Sequence, residues 1–499
     1  MNSNLSGLAG GLAAAGGPAA APAGEAPGGL AGRLAAVVGA AHVLTGDTIG
    51  ARYTQDLWGG ERVGDARLVV RPGSVAEVAQ VLRTCAELGQ PVVPQGGMTG
   101  LVGAGLPDAT ELVLSLERLD KVEEVDPSTR TMTVQAGVTL QAVQDLAAEH
   151  DLAFPLDLTS RGSCTIGGCL ATNAGGNRVL LYGMTRELVL GVEAVLADGT
   201  VVDGLHKLPK NNAGYDLKHL FIGTEGTLGV VTRAVLRLRP APRTQQVAFC
   251  GVPSFDAAVA LLHRLQADLP GMVSAFEAMW DSAYALVLPF RDEVRTPLSG
   301  RYPIYVLVEC SGSDPRTDLD RFAEALAGCE DLISEAAMGQ DPAAVRELWK
   351  VRERIPAEAL RIHPLFGFDV SLPTGHIDEY VACVEDDLRG HWPKVDLVVF
   401  GHLGDGNVHF AVLTGETTME KKPVVEEIVY GNLARYGGSI SAEHGIGFEK
   451  RPYLHHSRKP AEIDLMRRLK HALDPGGILA PGRVFPLDST DPLDSMERS

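Results

Sequence analysis

Two histidines seven residues apart, His402 and His409, bracket a glycine-rich turn in the stretch GHLGDGNVH. The flanks VDLVVF and VHFAVL are β-type and Gly404-Asp-Gly-Asn407 is a turn former, so a hairpin with a four-residue loop is expected. In that register Leu403 faces Val408 and His402 faces His409, with Cβ atoms roughly 5 Å apart on one face. Imidazoles so placed can share one metal ion. The later stretch SAEHGIGFEKR, 441–451, offers Glu443 as an oxygen ligand and His444 beside it, in a loop too glycine-rich for ordinary helix. Two imidazoles and one carboxylate with a place left open form the catalytic zinc pattern, and the same donors suit iron or manganese. Such an ion activating water describes a metal-dependent hydrolase, which is one reading of these residues.

A carboxylate ligand has candidate partners nearby in sequence. The helix-like ELWKVRERIPAEAL, 347–360, supplies Arg352 and Arg354, whose forked donors match two carboxylate oxygens, with Lys450 and Arg451 as further cations. A different chemistry is suggested by PQGGMTGLVGAG (94–105) and SCTIGGCLATNAGGNRVLLYGMTRE (163–187), followed by GTEGTLGVVT at 223–232. Glycines there let backbone N–H groups converge on an anion and let a flat ligand approach the main chain. Neither GxGxxG nor GxxxxGK[ST] occurs, so a Rossmann fingerprint and a P-loop are both excluded.

These motifs need a scaffold to bring them together. From Arg67 the chain reads as strand (LVV), a helix from Ser74 to Leu88 with Ser74 as N-cap, then a strand in PVVPQGG. Further β-rich runs lie at 111–116, 131–137, 192–202 and 228–240, with a helix over 140–150. A second alternation begins near Gln246, with helices at 254–268 and 318–328 and strands in YPIYVLVEC and FDVSLP; an amphipathic helix from Pro460 to Leu473 stops at Asp-Pro-Gly-Gly. This is an α+β chain of 499 residues, long enough for two or three cores.

A net charge of −19 argues against a polyanion such as nucleic acid as main partner, and no run of eighteen apolar residues exists to span a membrane. Seven cysteines without a CxxC pair or regular spacing read as reduced thiols, hence a cytoplasmic location. Residues 1–35 are expected to be a disordered Ala/Gly-rich tail, with no basic residue before Arg33 and neither a secretory nor a mitochondrial signal.

At the glycine-rich and histidine motifs the chain resembles flavoproteins of the vanillyl-alcohol-oxidase type, in the branch of FAD-linked D-2-hydroxyacid dehydrogenases that act on D-lactate or D-2-hydroxyglutarate. The resemblance runs from about Tyr53 to Phe485. It implies a two-subdomain FAD-binding domain over 36–242, an α/β substrate domain over 243–435 that carries the metal histidines, and a helical segment over 436–490 that completes the active site. It also implies FAD contacts at Pro94, Gln95, Gly96, Gly97, Met98, Thr99, Gly100 and Leu101, around the pyrophosphate. The isoalloxazine and ribityl chain would lie along Pro155, Leu156, Asp157, Ser163, Cys164, Ile166, Gly167, Gly168, Thr172, Asn173, Gly175 and Gly176, with Glu225 and Val230 as further contacts. By the same resemblance His402, His409 and Glu443 bind a divalent metal, zinc foremost, His444 is the base and Arg352 clamps the substrate carboxylate.

The implied reaction oxidises a D-2-hydroxyacid to the 2-oxoacid, with the metal polarising the hydroxyl, His444 taking its proton and hydride passing to flavin N5. Electrons then leave through a partner, whether a quinone, a cytochrome or an electron-transfer flavoprotein; a homodimer is the default assembly. Some relatives attach flavin through a histidine where this chain has Met98, so dissociable FAD is expected. Pro356, Gly367 and Ala411 replace a threonine, a lysine and an asparagine of the 2-hydroxyglutarate enzymes, which favours a less polar or larger hydroxyacid. Ala480 replaces a common asparagine near the flavin.

Overall fold

The computed structural model describes residues 29–57, 63–290, 293–362, 364–415 and 419–486. Most of the stretch read as a tail, residues 1–28, lies outside them. Its last part does not behave as a tail: Leu30–Val38 is a helix whose Leu30, Leu34 and Val38 are buried. Their spacing of four puts one apolar stripe onto the sheet below.

That sheet has four strands in the order Val43–Leu44, Leu68–Val70, Leu112–Ser115, Val92–Gln95, the last three parallel. The helix Val75–Leu88 crosses over it, started by Ser74, whose side chain accepts from Glu77 N, and stopped by Gly89 at φ +61°. A second sheet of five antiparallel strands holds Thr131–Gln135, Val230–Arg237 and Val189–Val195 at its centre. The run expected at 192–202 is the inner part of a hairpin, Val189–Val195 with Val201–Gly204.

The C-terminal half is one seven-stranded antiparallel sheet. Its order is Glu335–Gly339, Thr244–Val252, Ile304–Gly312, Val273–Trp280, Asp396–His402, Asn407–Leu413, Phe366–Ser371. One face is a dry core against the helices Phe255–Asp268, Asp318–Ala327, Ile377–His391 and Lys422–Leu433. The other face carries polar groups among its apolar ones and packs on Asp281–Ala285 and Pro342–Ala359. Because successive strand residues alternate sides, Glu277, Glu309, Asp369, His402 and His409 all point to this second face. After the helix Pro460–Leu473 the chain returns to the first sheet, where Leu479 bridges Val92 and Arg483 pairs with Glu111.

Candidate active site

The two glycine-rich segments touch backbone to backbone. A Cβ on Gly96 would stand 2.4 Å from Thr165 Oγ1, and one on Gly97 would stand 2.1 Å from the Ser163 carbonyl oxygen. Any side chain at either place would push the loops apart. A cavity of about 600 Å³ opens beside them, lined by Gly96, Gly97, Met98, Ser163 and Thr165, and by Arg52, which the sequence reading did not single out. That volume and that glycine-rich wall fit a cofactor of nucleotide size. Met98, Asn173 and Glu225 have φ of +53°, +52° and +53°, so each glycine motif also holds one non-glycine residue in the left-handed region.

Not every expected flavin contact offers its side chain. Gln95 donates to the carbonyls of Tyr53 and Gly105 at 2.8 and 2.7 Å, and Val230 is core. The Asp157 carboxylate accepts from Arg161 and Arg178, both at 2.7 Å. Glu225 accepts from Ile446 N and Gly447 N at 2.7 and 2.8 Å, so it braces the loop that follows His444. Cys164 and Ile166 are buried, as is Gly167, where a Cβ would lie 2.8 Å from Ala136 Cβ. Thr172 donates to Gly168 O at 3.2 Å. Pro94, Thr99, Gly100, Leu101, Gly168, Gly175 and Gly176 lie in these same segments, and Pro155 lies two residues before Asp157.

The histidine hairpin forms in a different register from the expected one. His402 pairs with Asn407 and Phe400 with His409, so the loop is 403–406, turned by Gly406 at φ +80°. The slip is two residues, a full period of the strand, so the imidazoles stay on one face with ring centres 5.5 Å apart. From the loop after Ser441, Glu443 Oε1 comes within 3.8 Å of His402 Nε2, and ligand atoms of His402, His409 and Glu443 lie within 4.8 Å of one another. This donor set fits one small divalent ion at ordinary bond lengths of about 2.0–2.2 Å after a slight inward adjustment. His402 Nδ1 meets Glu277 Oε1 at 2.6 Å, which aims Nε2 at Glu443, the arrangement by which carboxylates orient metal-binding histidines.

Electrostatics sort the groups. Burial would lower the His402 pKa, but Glu277 outweighs it and lifts it to about 9. Burial raises the Glu443 carboxyl to about 7. Burial lowers His409 well below its ordinary value and lowers His444 too, leaving both imidazoles neutral. Asp369, fully buried, is nonetheless held well below the carboxylate range: desolvation would raise it, but the Lys450 ammonium and the Glu443 amide favour the anion, as does any proton taken up by His444 or His409. Its Oδ2 accepts from Ala442, Glu443 and His444 N at 3.2, 3.0 and 3.0 Å, and its Oδ1 from Asn407 Nδ2 at 2.8 Å.

Asp369 and Glu277 were both missed from sequence. The available signal was a single acid inside an otherwise apolar strand, FGFDVS and VSAFEAMW, since such a residue is buried and needs partners. We expect Asp369→Asn to cost about 3–5 kcal/mol by urea unfolding near neutral pH, because three amides and Lys450 lose an anion. A depressed carboxyl stabilises the fold above its unfolded pKa of about 3.9 and ceases to as pH falls through the lower folded value. The difference between wild type and variant should therefore shrink in acid.

Arg352 is 6% exposed; its Nε donates to Glu277 Oε2 at 2.7 Å and its guanidinium lies 4.7 Å from the Phe400 ring centre. It therefore shares a carboxylate with His402. Arg354 instead pairs with Glu358 and Glu293, Lys450 with Asp369, and Arg451 with the Gly482 carbonyl, so these three brace the fold.

The two halves of the site meet through glycines. A Cβ on Gly175 would stand 3.0 Å from Glu443 Oε1, one on Gly445 2.8 Å from Glu225 Oε1, and one on Gly447 2.1 Å from the Val102 carbonyl oxygen. The loop bearing Glu443 and His444 thus lies directly on the flavin-type loops, and a cavity of about 70 Å³ between Leu101, Val102 and Phe366 reaches His444.

Residues 66–204 match an FAD binding domain and 241–484 the C-terminal domain of FAD linked oxidases. A D-2-hydroxyglutarate dehydrogenase of Xanthomonas citri is 41% identical over 84% of this chain and 89% of its own, and the mitochondrial D-2-hydroxyglutarate dehydrogenase of Bos taurus is 40% identical over 85% and 77%. A D-2-hydroxyglutarate–pyruvate transhydrogenase of Saccharomyces cerevisiae is 38% identical over 86% and 88%. Among solved structures, p-cresol methylhydroxylase with substrate bound superposes with a TM-score of 0.72 at 16% identity, covering 92% of this chain and 96% of that one, which concerns the fold alone. Both the α+β architecture expected from sequence and the flavoprotein resemblance hold, the flavin-free hydrolase reading falls, and the chain belongs to the FAD-linked oxidase family as an FAD-dependent dehydrogenase in the branch of these D-2-hydroxyacid enzymes.

Proposed function

We propose that the protein oxidises a D-2-hydroxyacid to the 2-oxoacid at a centre built by His402, His409, Glu443, His444 and Arg352. The single observation that carries this reading is the convergence of two imidazoles and a carboxylate within 4.8 Å, on a loop that presses against Gly175 of the FAD binding domain. When bound, FAD supplies the hydride acceptor and a divalent metal, zinc foremost, supplies the Lewis acid that acidifies the substrate hydroxyl. His402, His409 and Glu443 would hold that metal, and the glycine loops the flavin. Arg352 orients the substrate carboxylate through the donors that Glu277 does not occupy. His444, kept neutral by burial, accepts the hydroxyl proton at Nε2, and Asp369, 3.8 Å from its Nδ1, steadies the imidazolium that results. The chain's own residues thus take up the proton while the α-hydrogen leaves with its electron pair.

Substrate size follows from three positions. Gly367 and Ala411 pair across adjacent strands on the face of Asp369 and His409, two residues beyond them, and Pro356 follows Arg352 by one helical turn. None can pair with an anion. We expect kcat/KM for D-2-hydroxyglutarate to fall about 5- to 150-fold below that for an aliphatic D-2-hydroxyacid of equal length, the cost of an unpaired buried carboxylate. An anaerobic screen of D-2-hydroxyacids for loss of the visible flavin band, with and without chelator, tests both substrate class and metal. Bleaching by no D-2-hydroxyacid would refute the activity.

A further inference from the structure

A third buried carboxylate on the polar face of the large sheet is used by none of the steps above. Glu309 is 1% exposed and lies diagonally from Glu277 on the neighbouring strand. Arg178 reaches it from the FAD binding domain with two parallel bonds, Nε to Oε1 at 2.7 Å and Nη2 to Oε2 at 3.1 Å. Ser274 Oγ donates to Oε1 at 2.8 Å, and Trp349 Nε1 to Oε2 at 3.1 Å. The other end of the Arg178 fork, Nη1, donates to Asp157 Oδ2 at 2.7 Å, within the segment that packs against Glu443 through Gly175.

Trp349 and Arg352 are three residues apart on one face of the helix Pro342–Ala359. The helix is therefore pinned to the sheet by two carboxylates: Trp349 to Glu309, which also holds Arg178, and Arg352 to Glu277, which also holds His402. Bidentate arginine–carboxylate pairs fix orientation as well as distance. Pro356 lacks the N–H that would bond the Arg352 carbonyl, so the helix is weakened at that turn and relies on these two pins.

We propose that Glu309 is a positioning residue: with Arg178 and Trp349 it sets the Pro342–Ala359 helix, and hence Arg352, in register with segment 155–178 of the FAD binding domain, so that flavin occupancy stiffens the substrate-binding helix. This rests on the proposed role of Arg352, but its primary test does not need turnover. Hydrogen–deuterium exchange over 342–359 is compared between FAD-loaded and FAD-stripped protein, for wild type, Trp349→Phe and Glu309→Gln. In wild type, loading FAD should slow exchange in this helix about tenfold or more, and both variants should lose that difference while retaining flavin, metal and the exchange pattern of the 396–413 hairpin. Trp349→Phe, which removes one N–H and keeps the ring, should also raise KM for the hydroxyacid about tenfold with flavin content unchanged. The proposal is overturned if FAD protects the helix equally in all three proteins, or if KM in Trp349→Phe stays within about twofold of wild type. A wild-type protein that no D-2-hydroxyacid reduces would instead refute the proposed activity, and the exchange comparison would still decide the positioning role.

Discussion

His409→Ala leaves a folded, FAD-loaded protein whose flavin a D-2-hydroxyacid reduces about 10³-fold more slowly or worse. The change removes one of the three proposed metal donors, and Lewis-acid stabilisation of the developing alkoxide is worth several kcal/mol, each 1.36 kcal/mol being about tenfold in rate. The fold should tolerate it. The His409 side chain is 15% exposed and not sealed in the core, its ring rests on Phe400 at 5.1 Å, and Asp369 keeps its stronger partners in the loop amides. Stopped-flow reduction under anaerobic conditions, together with metal content per chain, checks both halves of the expectation. Equal bleaching by wild type and variant would show that the hairpin histidines serve something else.

The second large effect is expected at the base. His444→Gln should lower the rate constant for flavin reduction about 10²- to 10⁴-fold, the range for losing a positioned general base, while metal and FAD remain bound. Glutamine keeps the backbone amide that Asp369 accepts at 3.0 Å, so the loop should hold its shape. The two variants separate the roles: His409→Ala loses metal and rate together, His444→Gln loses rate alone. Measurement of metal content beside reduction kinetics distinguishes them, and a metal-free His444→Gln protein would reassign that residue as a ligand.

Much of this site was legible from residue types. Apolar flanks around a Gly-Asp-Gly turn suffice to specify a hairpin, and a strand's period of two protects the shared face of His402 and His409 even though the register slipped by two. The glycine loops were legible for a similar reason: only glycine tolerates Gly97 meeting the Ser163 carbonyl or Gly447 meeting the Val102 carbonyl. What sequence spacing could not supply was the long-range pairing of buried charge. Glu277 meets His402 across 125 residues, Glu225 meets Gly447 across 222, and Arg178 meets Glu309 across 131. No local pattern encodes such partners. The helix Leu30–Val38 was missed because alanine and glycine around it mask a four-residue apolar spacing that only the sheet beneath makes stable.

The roles of Glu225 and Asp369 change the picture of the active-site loop. Residues 442–447 contain two positive-φ glycines, yet they are held from one side by Asp369 and from the other by Glu225, itself in the left-handed region at φ +53°. One carboxylate belongs to the large sheet and the other to the turn that precedes the strand Val230–Arg237 of the five-stranded sheet, so the loop is a joint between them. This is how a segment with no regular structure keeps Glu443 and His444 at fixed distances from the hairpin.

The proposed role of His402, His409 and Glu443 is to hold a metal that the hydroxyacid needs in order to reduce the flavin. Its most direct test follows anaerobic flavin reduction by a D-2-hydroxyacid substrate in chelator-stripped protein before and after zinc is returned. Stripped protein should keep its yellow FAD but not be bleached, and zinc should restore bleaching in wild type and not in His409→Ala. Full-rate bleaching of metal-stripped wild type would contradict it.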